Sequence, residues 1–126
     1  MNTLEIERIS EKDIEQYKEL AKKEGLLFGK GIEYYGVYSN KALLGFGGLS
    51  FKKHHAIHKC DYVFKAFRKN GVHTELTKLK NEVAFSRGVK HVEANCTPAA
   101  VKTHINLGAE VMREYKNGVV KIKYNK

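Results

Sequence analysis

The sequence predicts a single α+β domain, a mixed α/β fold built in the order β-α-β-β-β-α-β-α-β-β. Three observations predict it. Segments of two-residue apolar period alternate with segments of helical period along the whole chain. The 126 residues are enough for one real core and too few for two. No repeat, linker or low-complexity stretch interrupts the succession of elements.

Each element has a local reason. Thr3 to Ile9 alternates, with Leu4, Ile6 and Ile9 nearly in phase, and reads as a strand. Ser10 is placed to cap the next helix, with Asp13 in a capping-box-like position. Ile14, Tyr17, Leu20 and Ala21 then recur at helical spacing up to Gly25, and Leu26 to Gly31 is a loop or a broken helical turn. Ile32 to Tyr38 is rich in β-branched and aromatic residues, Ser39-Asn40-Lys41 is a hairpin turn, and Ala42 to Phe51 returns, bent or bulged around Gly45, Gly47 and Gly48. His54 to Lys65 is the third consecutive strand. An amphipathic helix follows from Val72 to about Arg87, with Val72, Leu76, Leu79 and Val83 on one face and Gly88 ending it.

Val89 to Cys96 is the next strand. Thr97-Pro98 provides an N-cap and a first-turn proline for a short helix, Ala99 to Leu107, closed by Gly108. Ala109 to Tyr115 and Val119 to Tyr124 form a terminal hairpin through Lys116-Asn117-Gly118, where Asn-Gly is the hairpin signal.

Composition narrows the function. Hydrophobic residues make up 42% and charged residues 29%, which fits a soluble globular protein. No apolar run is long enough to cross a bilayer, and the first residues lack the features of a signal peptide, so a cytoplasmic location is the default. Cys60 and Cys96 sit in apolar strand segments and read as reduced packing residues; no CxxC motif is present. The net charge of +9 points to anionic partners, but the lysines are spread along the chain and form no basic block. Solvated lysine-rich faces therefore explain the charge better than a nucleic-acid groove.

The most informative stretch is Val63 to His73. A β-favouring run stops at Arg68-Lys69-Asn70-Gly71, and a helix begins at once with Val72. A strand that turns through glycine into a helix leaves unpaired backbone N–H groups aimed at one spot, and the helix dipole favours negative charge there. Such a spot suits a phosphate.

Arg68-Lys69-Asn70-Gly71-Val72-His73 resembles the Arg/Gln-x-x-Gly-x-Gly/Ala turn of the GNAT (GCN5-related N-acetyltransferase) superfamily. Leu43-Leu44-Gly45-Phe46-Gly47-Gly48-Leu49 is similar to that superfamily's third strand. Ala99 to Gly108 resembles its late helix, usually written Ala-x-x-x-Tyr-x-x-x-Gly-Phe. The resemblance spans almost the whole chain and implies a central, mostly antiparallel sheet whose fourth and fifth strands splay apart. It also implies that acetyl-coenzyme A lies in that opening as co-substrate. Backbone groups of Val63 and Lys65 would pair with the pantetheine, and the pyrophosphate would sit on the N–H groups from Lys69 to His73, through Asn70, Gly71 and Val72. Arg68 and Lys69 would add charge.

Four positions depart from the pattern, one of them Ala109 in place of the usual phenylalanine. His73 stands where a second small residue is expected, so its side chain must point away from the pyrophosphate or donate to it. His104 takes the place of the tyrosine that commonly protonates the departing thiolate; an imidazole can do this as a general acid. Thr97 stands where asparagine is common and is counted with the cofactor-binding residues. As base, Asp61 and Glu93 are the candidates, although each also reads as an ordinary ion-pair residue. His54, His58 and Cys60 share a strand face by spacing, but no second ligand cluster accompanies them and no metal is called for.

The resemblance thus implies acetyl transfer from acetyl-coenzyme A to a primary amine, by direct attack in a ternary complex. The alternative is a non-catalytic acyl-coenzyme A-binding or regulatory module with a degenerate site. The short Leu26–Gly31 connection implies an open site, suited to a large acceptor or completed by a partner chain as in a homodimer.

Overall fold

Strand pairing is continuous from one end of the molecule to the other. A computed structural model describes residues 4–69 and 71–126; Thr3, at the predicted start of the first strand, lies outside them. The elements are β1 (Glu5–Ile9), α1 (Glu11–Lys22), β2 (Ile32–Ser39), β3 (Ala42–Phe51), β4 (His55–Val63), α2 (Val72–Ser86), β5 (His91–Cys96), α3 (Pro98–Asn106), β6 (Glu110–Glu114) and β7 (Val120–Asn125). A one-turn 3-10 helix, Lys65–Phe67, between β4 and α2 is the only addition to the predicted order among the described residues.

One seven-stranded sheet runs β1-β2-β3-β4-β5-β7-β6. Every neighbouring pair is antiparallel except β4 and β5, which are parallel. Those two pair only from His55–Ile57 to His91–Glu93 and then separate, so the sheet opens in its middle. The β2–β3 turn has both Asn40 (φ 50°) and Lys41 (φ 69°) in the left-handed region, the geometry that matches strand twist in a two-residue hairpin. Ser10 caps α1 as predicted, its hydroxyl accepting from the Asp13 N–H at 3.1 Å.

Helices cover both faces of the N-terminal half. On one face Ile14 and Ala21 of α1 pack with Tyr34, Phe46 and Tyr62. On the other, Leu76 and Ala84 of α2 pack with Val37, Leu49, Val92 and Ile122. Burial on both sides explains why β2 and β3 read as near-continuous apolar runs. Gly47 is required by packing: a Cβ there would collide with Asp61 Oδ1 and come within 2.9 Å of Leu76 Cδ2. No helix among the described residues is long and apolar enough to cross a membrane.

The face shared by His54, His58 and Cys60 does not survive folding. Cys60 is in the left-handed region (φ 57°), and the β3–β4 register shifts between Phe46 and Gly48. This bulge breaks the two-residue period. His58 bonds Asn81 of α2, whereas Cys60 turns to the α1 side and donates its thiol to the Leu27 carbonyl at 3.1 Å.

Candidate functional site

A cleft of about 560 Å³ opens where β4 and β5 part. Its walls are the end of β4, the first turn of α2 and the start of α3. A second hollow of about 340 Å³ shares Asp61, His73, Thr97 and Ala100 with it and reaches His58 and His104.

The turn into α2 is built as its sequence predicts. Lys69 (φ 70°) and Gly71 (φ 79°) are both left-handed, which glycine adopts freely and lysine only at a cost. Gly71 caps α2 without a side chain, and the first intrahelical bond runs from the Glu75 N–H to the Gly71 carbonyl. The N–H groups of Val72, His73 and Thr74 precede it, so they have no acceptor within the helix. All three residues border the cleft.

Of the residues singled out in the sequence, Val63, Arg68, Lys69, Gly71, Val72, His73 and Thr97 border this cleft together with Asp61. Lys65 lies in the 3-10 turn and does not border it. Asn70 lies outside the described residues. His104 borders the inner hollow, and Glu93 borders neither space. Arg68 is already engaged: Nε donates to the Val63 carbonyl at 2.8 Å, and its guanidinium meets both Glu24 oxygens at 2.8 and 3.0 Å. Glu24 also accepts from the Tyr62 hydroxyl at 2.6 Å; the Tyr62 and Arg68 bonds hold its carboxyl below the usual range.

Beneath the cleft lies a polar network. Lys80 is fully buried; its ammonium pairs with Asp61 Oδ1 and donates to the Gly48 carbonyl at 3.1 Å. His73 Nε2 stands 3.4 Å from Asp61 Oδ2. Burial alone would raise the Asp61 pKa, but the charge of Lys80 and the His73 contact hold it well below the carboxylate range. Burial lowers the pKa of Lys80 despite this partner.

His58 Nε2 meets Asn81 Oδ1 at 2.8 Å, while its buried Nδ1 has no partner. Burial, reinforced by the charge of Lys80, pushes this imidazole down to about 3. His104 Nδ1 meets the Tyr124 hydroxyl at 2.5 Å, and burial followed by the charge of His73 lowers its pKa to about 4. Both rings are neutral at pH 7. The His73 ring, edge-on to His104 at 5.6 Å, is turned toward Asp61.

Lys80, Asn81, Tyr124 and Glu24 escaped the sequence reading. Lys80 alone carried a signal, since it continues the Val72–Leu76 row on the apolar face of α2. Tyr124 comes to the site only through the β5–β7 register, opposite Val92.

No family model and no curated protein matches the sequence. Solved structures do match the fold. The ribosomal-protein-S18-alanine N-acetyltransferase of Escherichia coli superposes with a TM-score of 0.81 over 98% of this chain and 94% of its own, at 12% identity. The PaiA N-acetyltransferase of Thermoplasma acidophilum, in complex with coenzyme A, gives 0.79 over 98% and 99% at 12% identity. An acetyltransferase of the GNAT family from Staphylococcus aureus gives 0.76 over 98% and 99% at 11% identity. With its β4–β5 opening and near-complete coverage by these structures, the chain has the fold of the GNAT N-acetyltransferase superfamily.

Proposed function

We propose that this chain transfers an acetyl group from acetyl-coenzyme A to a primary amine, by direct attack in a ternary complex. The observation that carries the reading is the first turn of α2: its unpaired N–H groups and the positive end of the helix dipole face the opening between β4 and β5. A pyrophosphate fits there because Gly71 carries no side chain and His73 turns its ring toward Asp61. The coenzyme A bound in the Thermoplasma acidophilum protein of the same fold supports this ligand. Acetyl-coenzyme A, when bound, supplies the activated thioester.

In this reading Lys69, Gly71, Val72 and His73 hold the pyrophosphate through backbone donors, joined by Asn70. The backbone of Val63, at the cleft edge of β4, pairs with the pantetheine, whereas Lys65, outside the cleft, does not, and Thr97 closes the opposite wall. Arg68 acts first on the protein, tying the turn to Glu24. His104 handles the proton. In the tautomer that donates Nδ1–H to the Tyr124 hydroxyl, Nε2 of the neutral ring accepts the proton shed by the attacking amine and passes it to the departing sulfur. Asp61 is committed to its ion pair with Lys80 and its contact with His73, and its role is to hold them beside the reaction space. Glu93, outside both hollows, stays off this proton path.

A non-catalytic acyl-coenzyme A-binding module is the second reading. The closed Asp61–Lys80 pair and the engaged His104 favour it. Calorimetric titration with acetyl-coenzyme A, followed by assay of free thiol against small amines and peptide amines, separates the two. Binding with thiol release in step with acetylated amine is the expected result. Binding without turnover selects the module, and no binding overturns both.

A further inference from the structure

The geometry points to a divalent transition-metal site, suited to zinc(II), formed by His55, His91 and Glu93 on the sheet face turned away from α2. These side chains lie on the opposite side of their strands from Ala56 and Val92, which pack into the α2 core. The site is independent of the acyl-transfer reading.

Parallel pairing makes the two histidines neighbours. His55 is the register partner of His91, and their rings stack 4.9 Å apart, parallel to within 1°. Glu93 follows two residues later on the same face. Its Oε2 lies 2.6 Å from His91 Nε2 and 3.9 Å from His55 Nε2, and one ligand atom from each residue falls within 4.8 Å of the others. A tetrahedral centre with bonds of about 2.0–2.2 Å needs its ligand atoms about 3.3–3.6 Å apart. The two Glu93 separations, 2.6 and 3.9 Å, bracket that distance, and the two histidine ligand atoms lie within 4.8 Å of each other.

Protein groups also prepare the carboxylate. Lys121 Nζ takes Glu93 Oε1 at 3.1 Å and leaves Oε2 facing the imidazoles. Two imidazoles and one carboxylate suit zinc over calcium or magnesium, which prefer all-oxygen sets. All three side chains are partly exposed, so a metal can enter and solvent can supply a fourth ligand. The ligands span the three paired rungs of β4 and β5, from His55–His91 to Glu93, and a bound metal would pin the strands below the point where they part.

The test is calorimetric titration of chelator-treated protein with zinc chloride, with visible spectra of the cobalt(II) form as a second readout. One equivalent should bind, with the intense bands of four-coordinate cobalt. His91→Ala and Glu93→Gln should each weaken binding at least about tenfold, the loss that even an outer-sphere change brings. His54→Ala and His73→Ala should bind as the parent does. Unchanged metal-free melting shows that the variants fold. Absence of binding by the parent, or binding retained by the His55→Ala/His91→Ala double variant, overturns the proposal. So does a loss centred on His73, which would move the metal to the cleft.

Discussion

Asp61 and Lys80 form an ion pair under the floor of the cleft, joining the bulged end of β4 to the apolar face of α2. The two partners are unequal: Lys80 is fully buried, while Asp61 keeps contact with the cleft.

That inequality orders two variants. Asp61→Asn strands a buried ammonium and should cost about 3–5 kcal/mol, as for other broken buried pairs. Lys80→Met should cost less, because the remaining carboxylate can reach water. The Asp61→Asn/Lys80→Met double variant should recover much of the larger loss. Urea unfolding of the three proteins measures this; additive losses would show that the pair is not coupled.

Acid should destabilise the fold through His58 and His104. Unfolded imidazoles take up protons near pH 6.5, whereas the folded ones wait until about 3 and about 4. Between those limits the unfolded chain binds more protons, so stability rises with pH. It is complete above pH 6.5 and falls as the pH drops, with a slope approaching about 1.4 kcal/mol per pH unit for each ring. His58→Leu should flatten that slope in denaturant titrations at pH 7.5, 6 and 5. An unchanged slope would mean that the His58 ring is not the buried neutral group described.

Gly71→Ala separates conformation from contact. No atom lies within 4 Å of the added Cβ, so the loss comes from holding alanine at φ 79°, about 1–2 kcal/mol. Calorimetry should also find weaker acetyl-coenzyme A binding, since a relaxed turn moves the donors. Wild-type stability and affinity together would contradict the left-handed cap.

His104→Phe removes the proposed proton carrier and keeps an aromatic ring at the position. Turnover should fall by about 10²-fold or more, with acetyl-coenzyme A affinity nearly unchanged. The parent's kcat should show no ionisation of His104 near pH 6.5. A variant as active as the parent would take the role from His104.

The element order, the Ser10 cap, the β2–β3 hairpin and the glycine turn before α2 were legible in the sequence. Each depends on residues close together in the chain, through side-chain period, capping chemistry or a required φ. The same locality made the glycine turn readable and left its surroundings dark. The three-residue β4–β5 pairing places His55 beside His91, the β5–β7 register sets Tyr124 opposite Val92, and α2 lowers Lys80 onto Asp61. The bulge at Cys60 then alters which β4 side chains face α2. Sequence by itself determined the elements and the glycine turn into α2. Tertiary structure alone decided which ionisable groups meet, because cross-strand register and burial arise only when distant segments pack together.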